Sequence, residues 1–244
     1  KGILYQIYFQ LLIIYIKADL TTRKPKAVIT YIDNCNKFAW LSENLENIPC
    51  IAIQNGFRLS YNADLDHAYY CNHLFCFGNR EREVYSKLNY KVDHFYPFGS
   101  LSLNNNFCSD LNQIKPIYDL LIVSCWRGNI GYQQDVVESM NGMRIMDTLL
   151  SKYLKERDLK VAVILRSERD SEDWIMAEIG ISEEEYYKSI YGGLVQVIDV
   201  NFTERNIYPL MQKSKMLIAG FSTSCLVEAF SFGTKVLYAN FCET

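Results

Sequence analysis

From Pro25 onward, short runs rich in β-branched and aromatic residues alternate with longer segments that place apolar residues at helical spacing among charged ones. This is the pattern of strands joined by crossover helices. In the first half it predicts strands at 27–32, 50–54, 74–77 and 94–98, with helices at 36–46, 63–71 and 79–88 between them. The strands are apolar at successive positions, which suits a parallel sheet covered on both faces. Ahead of them, residues 3–16 form the most apolar stretch, interrupted by Gln6 and Gln10 and closed by Lys17. A bilayer span needs about 20 apolar residues, so this segment reads as a buried helix.

Residues 99–115 are polar, Asn-rich and without a period, and read as a linker. A second alternating series follows, with strands at 118–124, 160–165, 195–200, 215–219 and 235–239 and helices at 134–155, 172–179, 182–189, 203–212 and 223–232. The fold class predicted is α/β, two tandem Rossmann-like doubly wound domains. Residues 1–103 make the first, 104–116 the linker and 117–244 the second. Such a pair is expected to place ligand-facing residues at the carboxyl ends of its strands, in a cleft. The sequence opens at Lys1 without Met and closes directly after a strand, so a piece of a longer protein, truncated at both ends, is expected.

Composition narrows the partners. Hydrophobic residues make up 49% of the 244, enough for a sizeable core and against disorder. Lys plus Arg is 25 and Asp plus Glu 28, a net charge of −3. No global basic field exists to hold nucleic acid, while a local basic pocket still suits a small phosphate compound. The apolar start runs into Lys17-Ala18-Asp19 without a small-residue cleavage pattern, so a cytoplasmic protein is expected. Eight cysteines include no Cys-x-x-Cys pair, which fits reduced core thiols. His67, Cys71, His73 and Cys76 offer zinc-ligand chemistry, but in a strand at 74–77 His73 and Cys76 point to opposite faces. Asp64-Leu65-Asp66 has metal-motif spacing but falls away from predicted strand ends, so no metal and no cofactor is expected.

The segment from Ala219 to Leu237 is the richest in chemistry. A strand ends at Gly220, the hydroxyl residues Ser222, Thr223 and Ser224 follow, and a helix opens there. A helix start offers unsatisfied N–H groups and the positive end of its dipole to a phosphate. Glu228 lies one turn beyond Ser224 on the same face, where a carboxylate can accept both hydroxyls of a ribose. The plainer reading makes Ser222 or Thr223 an N-cap and Glu228 a solvated helix residue. Arg127 and Arg166 each follow a predicted strand and suit bidentate phosphate binding. In the first domain Asp33 ends one strand, and Asn55, Gly56 and Arg58 end the next. Asp33 is a candidate base for an acceptor hydroxyl, with a helix N-cap as the competing role. The run Glu183-Glu184-Glu185 reads as a charged helix start.

The segment 219–237 resembles the nucleotide-sugar signature of GT-B glycosyltransferases, in which a Gly/Ser-rich turn meets the phosphates and a helix glutamate holds the ribose. The runs 28–33, 51–58 and 77–79 and the Phe98-Gly99-Ser100 turn are similar to bacterial surface-carbohydrate (capsule and lipopolysaccharide) biosynthesis proteins of that class. The resemblance implies a glycosyltransferase that takes a nucleotide-sugar as substrate and passes the sugar to a saccharide or lipid-linked acceptor, with peripheral association at the inner membrane. Arg127, Arg166, Ser222, Thr223, Ser224 and Glu228 would hold the donor; Asn55, Gly56 and Arg58 would line the acceptor side; Asp33 would be the base. Two departures stand out. No Glu-x7-Glu pair is present, and Asn55 replaces the histidine of a Gln-His-Gly turn. A sugar-nucleotide 2-epimerase, a polyol-phosphate transferase and a non-catalytic partner of the same fold are the alternatives.

Overall fold

The computed structural model describes residues 3–56, 69–101, 115–126, 134–168, 175–176, 180–201, 207–221 and 223–241. The chain divides into two compact units, Lys1–Asn105 and Asn106–Thr244.

The first unit contains helices α1 (Ile3–Arg23), α2 (Asn36–Asn44) and α3 (Glu81–Lys87) and strands β1 (Val28–Thr30), β2 (Cys50–Ile53), β3 (Tyr70–Cys76) and β4 (Lys91–Pro97). The strands form one parallel sheet in sequential order β1-β2-β3-β4. Its core joins the buried strand residues Leu74 and the smaller Cys50, Ala52, Cys71 and Cys76 to Phe38 and Leu41 of α2 and Tyr85 of α3. The small cysteine and alanine side chains on the strands let the aromatic helix residues approach into close packing.

Three expectations change here. Residues 70–71, placed at the end of a helix by pattern, begin β3, because Tyr70 and Cys71 pair with Lys91 and Val92; residues 63–68 lie outside the described ones. The sheet is not buried evenly on both sides. Cys50 and Ala52 are fully buried, whereas Ile51 and Ile53, which alternate with them, are half-buried and Ile29 on β1 is 63% exposed. On that second side His73 stacks on His94 and Phe75 on Tyr96, with ring centroids 5.1 and 4.9 Å apart. Finally, α1 is buried along one stripe rather than all round. Ile13 is fully buried and Ile16 and Leu20 pack on the core, while Ile7, Tyr8, Leu11, Ile14 and Tyr15 are 50–70% exposed. Among the described residues no helix is long and apolar enough to cross a membrane.

The second unit contains β5 (Leu120–Val123), α4 (Gln134–Leu154), β6 (Val161–Ile164), the short β7 (Ile175–Met176) and β8 (Ile181–Ser182), α5 (Glu183–Tyr191), β9 (Val195–Ile198), α6 (Ile207–Gln212), β10 (Met216–Ala219), α7 (Ser224–Ser231) and β11 (Lys235–Tyr238). Five strands form a parallel sheet in the order β11-β10-β5-β6-β9. Every residue of β5 and β6 is buried, as central parallel strands covered on both faces must be. The helix predicted at 172–179 is not found where residues there are described: Ile175 and Met176 pair antiparallel with Ile181 and Ser182. Gly180 lies between the two strands at φ 62°, a conformation that suits glycine.

Gly220, directly after β10, is needed for its size. A Cβ there would lie 3.0 Å from the Met143 Cα and 3.3 Å from the Met146 Sδ of α4. The methionine thioether can move aside, but the helix backbone cannot without shifting α4. Gly220→Ala is expected to destabilise the second unit by about 1–3 kcal/mol, measured as a lower urea midpoint with an unchanged circular dichroism spectrum.

Candidate functional site

The strand order of the second sheet creates a topological switch point. From β5 the chain builds outward through β6 and β9, then returns to build the other way through β10 and β11. Neighbouring connections therefore leave the carboxyl ends of β5 and β10 toward opposite faces, which opens a crevice where doubly wound sheets take their ligands. The two ends do meet: the Cys125 thiol after β5 lies 3.7 Å from the Phe221 carbonyl after β10. The sheet of the first unit is laid down in sequential order, so its described strands contain no such reversal.

Helix α7 starts at this crevice. Thr223 is its N-cap, in extended conformation, and its hydroxyl oxygen accepts from the Cys225 amide at 3.4 Å. The capping reading therefore applies to Thr223, whose O–H remains a donor by chemistry. Ser224 opens the first turn. Ser222 and Arg127 lie outside the described residues. Glu228 is buried, not solvated, with the Tyr208 hydroxyl of α6 3.4 Å from its Oε1. Burial pushes the Cys225 thiol up to about 11, with Glu228 adding to the effect, so this thiol stays protonated and unreactive at neutral pH.

Arg166 follows β6 at the same edge and is half-buried. Its Nη1 donates to the Trp126 carbonyl at 2.7 Å, tying the turn after β6 to the turn after β5. The anchor of both turns is Glu183, a residue the pattern marked only as part of a charged helix start. It is fully buried. Its Oε1 accepts from the Ser124 hydroxyl and from the Arg166 amide, the latter at 2.8 Å, and its Oε2 accepts from the Ser167 amide at 2.8 Å. Ser124 in turn accepts from the Trp126 amide at 3.2 Å. Burial pushes the Glu183 carboxyl up, against the pull of these donors. The neighbouring Glu185 serves the helix itself, closing a capping box with Ser182. Its first-turn carboxyl is held below the usual range by those bonds.

In the first unit Asp33, Asn55 and Gly56 gather at the carboxyl ends of β1 and β2, while Arg58 lies outside the described residues. Asp33 is fully buried, its Oδ1 accepting from the Asn55 amide at 3.0 Å and its Oδ2 from the Tyr85 hydroxyl at 2.6 Å. The N-cap reading of Asp33 does not hold, since the N-cap of α2 is Cys35. With both oxygens engaged and closed off from solvent, the Asp33 carboxylate braces the two strand ends. Gln54, which pattern alone did not single out, works likewise. Its Oε1 accepts from the Phe77 amide and its Nε2 donates to the Gly56 carbonyl, each at 3.0 Å, linking the ends of β2 and β3. Of the four residues with zinc-ligand chemistry, His67 lies outside the described residues, Cys71 and Cys76 are buried in the core, and His73 stacks on the other side of the sheet.

No family model and no curated protein matches the sequence. Solved structures do match in shape. UDP-N-acetylglucosamine 2-epimerase from Rickettsia bellii superimposes with a TM-score of 0.52 at 15% identity, over 96% of this chain and 62% of the epimerase. A glycosyltransferase from Rickettsia africae gives a TM-score of 0.47 at 10% identity, over 93% of this chain and 62% of its own. This chain thus spans about three-fifths of the epimerase's length. The likeness to the epimerase establishes the fold, two consecutive parallel α/β units of the GT-B-like class expected from the sequence.

Proposed function

We propose that the second unit binds a nucleotide-sugar at the switch point between β5 and β10, and that the chain is part of a glycosyltransferase of surface-polysaccharide assembly. The observation that carries the reading is the buried Glu228, placed one turn behind the Thr223-Ser224 start of α7 at that point. In this reading the α7 start receives the donor's phosphates and Glu228 accepts the ribose hydroxyls. Arg166, one strand away, neutralises charge on the same group. Transfer breaks the bond between the anomeric carbon and the phosphate oxygen while an acceptor oxygen bonds to that carbon. The electron pair leaves on the phosphate, and the acceptor proton passes to a base. Cationic groups and helix N–H donors lower the barrier by stabilising the leaving phosphate. Asn55, Gly56 and Arg58 of the first unit are the acceptor-side residues, and the acceptor is a saccharide or a lipid-linked one.

Calorimetric titration of the protein with CMP, CDP, UDP and GDP, with and without magnesium, tests the reading. One nucleotide is expected to bind selectively, and Glu228→Ala is expected to weaken it about tenfold or more by removing a charged hydrogen-bond acceptor. Binding of none of the four would overturn the proposal and favour a non-catalytic partner of the same fold.

A further inference from the structure

Glu183 is a buried carboxylate for which the fold alone gives little reason. It is the first residue of α5, fully buried, and the Ser124 hydroxyl and the Arg166 and Ser167 amides that donate to it all lie outside its own helix. Placing an ionisable group there is unfavourable unless its bonds define something a neutral residue would not. What they define is local. Two of the donors are consecutive amides of the turn after β6, Arg166 and Ser167, and the third is the hydroxyl of Ser124 directly after β5. Consecutive amides pointing at one carboxylate set the backbone direction of that turn. With that direction set, the Arg166 guanidinium reaches the Trp126 carbonyl, and the Trp126 amide is itself held by Ser124. Glu183, Ser124, Trp126 and Arg166 thus close a ring of hydrogen bonds across the ends of the two strands.

We infer that Glu183 is a positioning residue for anion recognition: through the Arg166 and Ser167 amides and the Ser124 hydroxyl, it holds the Arg166 guanidinium at the carboxyl edge of the second sheet, ready for the phosphates of a nucleotide. This rests on the nucleotide reading above and assigns the part of the site opposite α7. Pre-orientation matters here because an arginine side chain otherwise loses rotamer freedom on binding, a cost the ring meets in advance. Glu183 itself touches no ligand in this arrangement. A carboxylate facing a phosphate would repel it, whereas here its charge is turned inward onto amides and its effect reaches the ligand only through Arg166.

The test is a thermodynamic cycle on the full chain, with the nucleotide that binds best among CMP, CDP, UDP and GDP as probe. Glu183→Gln keeps the shape but presents an NH2 group to donors, so the turn loses its anchor. Affinity is expected to fall about tenfold, comparable to the loss in Arg166→Ala. In the Arg166→Ala background Glu183→Gln is expected to have no further effect, because its route to the ligand is gone. Ser124→Ala, which removes one donor and keeps the carboxylate, is expected to show a smaller loss, and it serves as the readout should Glu183→Gln fail to fold. Additive losses in the double variant, or wild-type affinity in both Glu183→Gln and Ser124→Ala, would overturn the inference while leaving nucleotide binding intact. Wild-type protein that binds no nucleotide would overturn both, so the two failures are told apart by the wild-type titration.

Discussion

Asp147→Asn is expected to remove a pH dependence from the stability of the second unit and to make the folded state more favourable at pH 7 relative to pH 4 by about 3 kcal/mol. Asp147 lies on α4, fully buried, with its Oδ1 accepting from the Tyr191 hydroxyl at 2.7 Å and its Oδ2 from the Tyr186 hydroxyl at 2.9 Å, both from α5. Burial pushes its carboxyl up from 3.8 to about 6, more than the two phenol bonds pull it down. Both phenols are themselves pushed up by burial and stay protonated donors throughout this range. A carboxyl raised in the folded state contributes stability that is fully present below its unfolded value and is lost as pH rises through the folded one. The window is therefore from about pH 4 to 6. Asn cannot ionise, so the difference in unfolding free energy between wild type and variant should change across that window and be flat on either side. The amide can accept from only one phenol and must donate to the other, which costs about 1 kcal/mol at every pH and leaves the pH-dependent part clean. Urea unfolding at pH 4, 5, 6 and 7, followed by hydrogen exchange of the α4 and α5 amides, measures it. A gap independent of pH would mean that the Asp147 carboxyl titrates at the same pH folded and unfolded.

The class of fold was legible because it depends on periodicity. β5 and β6 are uninterrupted apolar runs that end within a residue of the predicted positions, and the helix predicted at 134–155 is α4, also to within a residue. What pattern reports is how an element faces its core, and it fails where a partner decides the outcome. Residues 70–71 became strand because Lys91 and Val92 lie beside them. Ile175 and Met176 became strand because Ile181 and Ser182 pair beside them. Apolar content also overstated the burial of α1, since composition counts Ile7, Leu11 and Ile14 but does not say which stripe meets the core. Within the candidate site, the helix start at Thr223 and Ser224, with Glu228 one turn on, was legible because a helix start after a strand glycine is a local signal. Glu183 was not, because in a run of three glutamates nothing local distinguishes the one that reaches two strand ends from Glu185, which caps its own helix. The only hint is Ser182 with Glu185 three residues on: a capping box accounts for Glu185 and leaves Glu183 unexplained.

The same limit explains Asp33, whose substitution separates a brace from a base. Asp33→Ala is expected to destabilise the first unit by about 3 kcal/mol, because it strands the fully buried Tyr85 hydroxyl and the Asn55 amide without their acceptor. Asp33→Asn keeps one carbonyl oxygen for the Asn55 amide and sets its NH2 group against the Tyr85 oxygen. It is expected to lose about 1–2 kcal/mol, a graded response set by hydrogen-bond geometry. Tyr85→Phe removes the donor on the other side, and in the Asp33→Ala background it should cost little more, since the pair acts as one unit. A general base behaves otherwise: Asp33→Asn would leave the urea midpoint unchanged and abolish transfer, and Tyr85→Phe would add independently of it. Urea unfolding of wild type and these four variants decides between the two. If the midpoints of Asp33→Asn and wild type coincide, the carboxylate is not what holds the ends of β1 and β2 to α3, and the catalytic reading of Asp33 stands. If they separate in the predicted order, the base that accepts the acceptor proton has to come from another residue, and Asp33 belongs to the framework that carries Asn55 and Gly56.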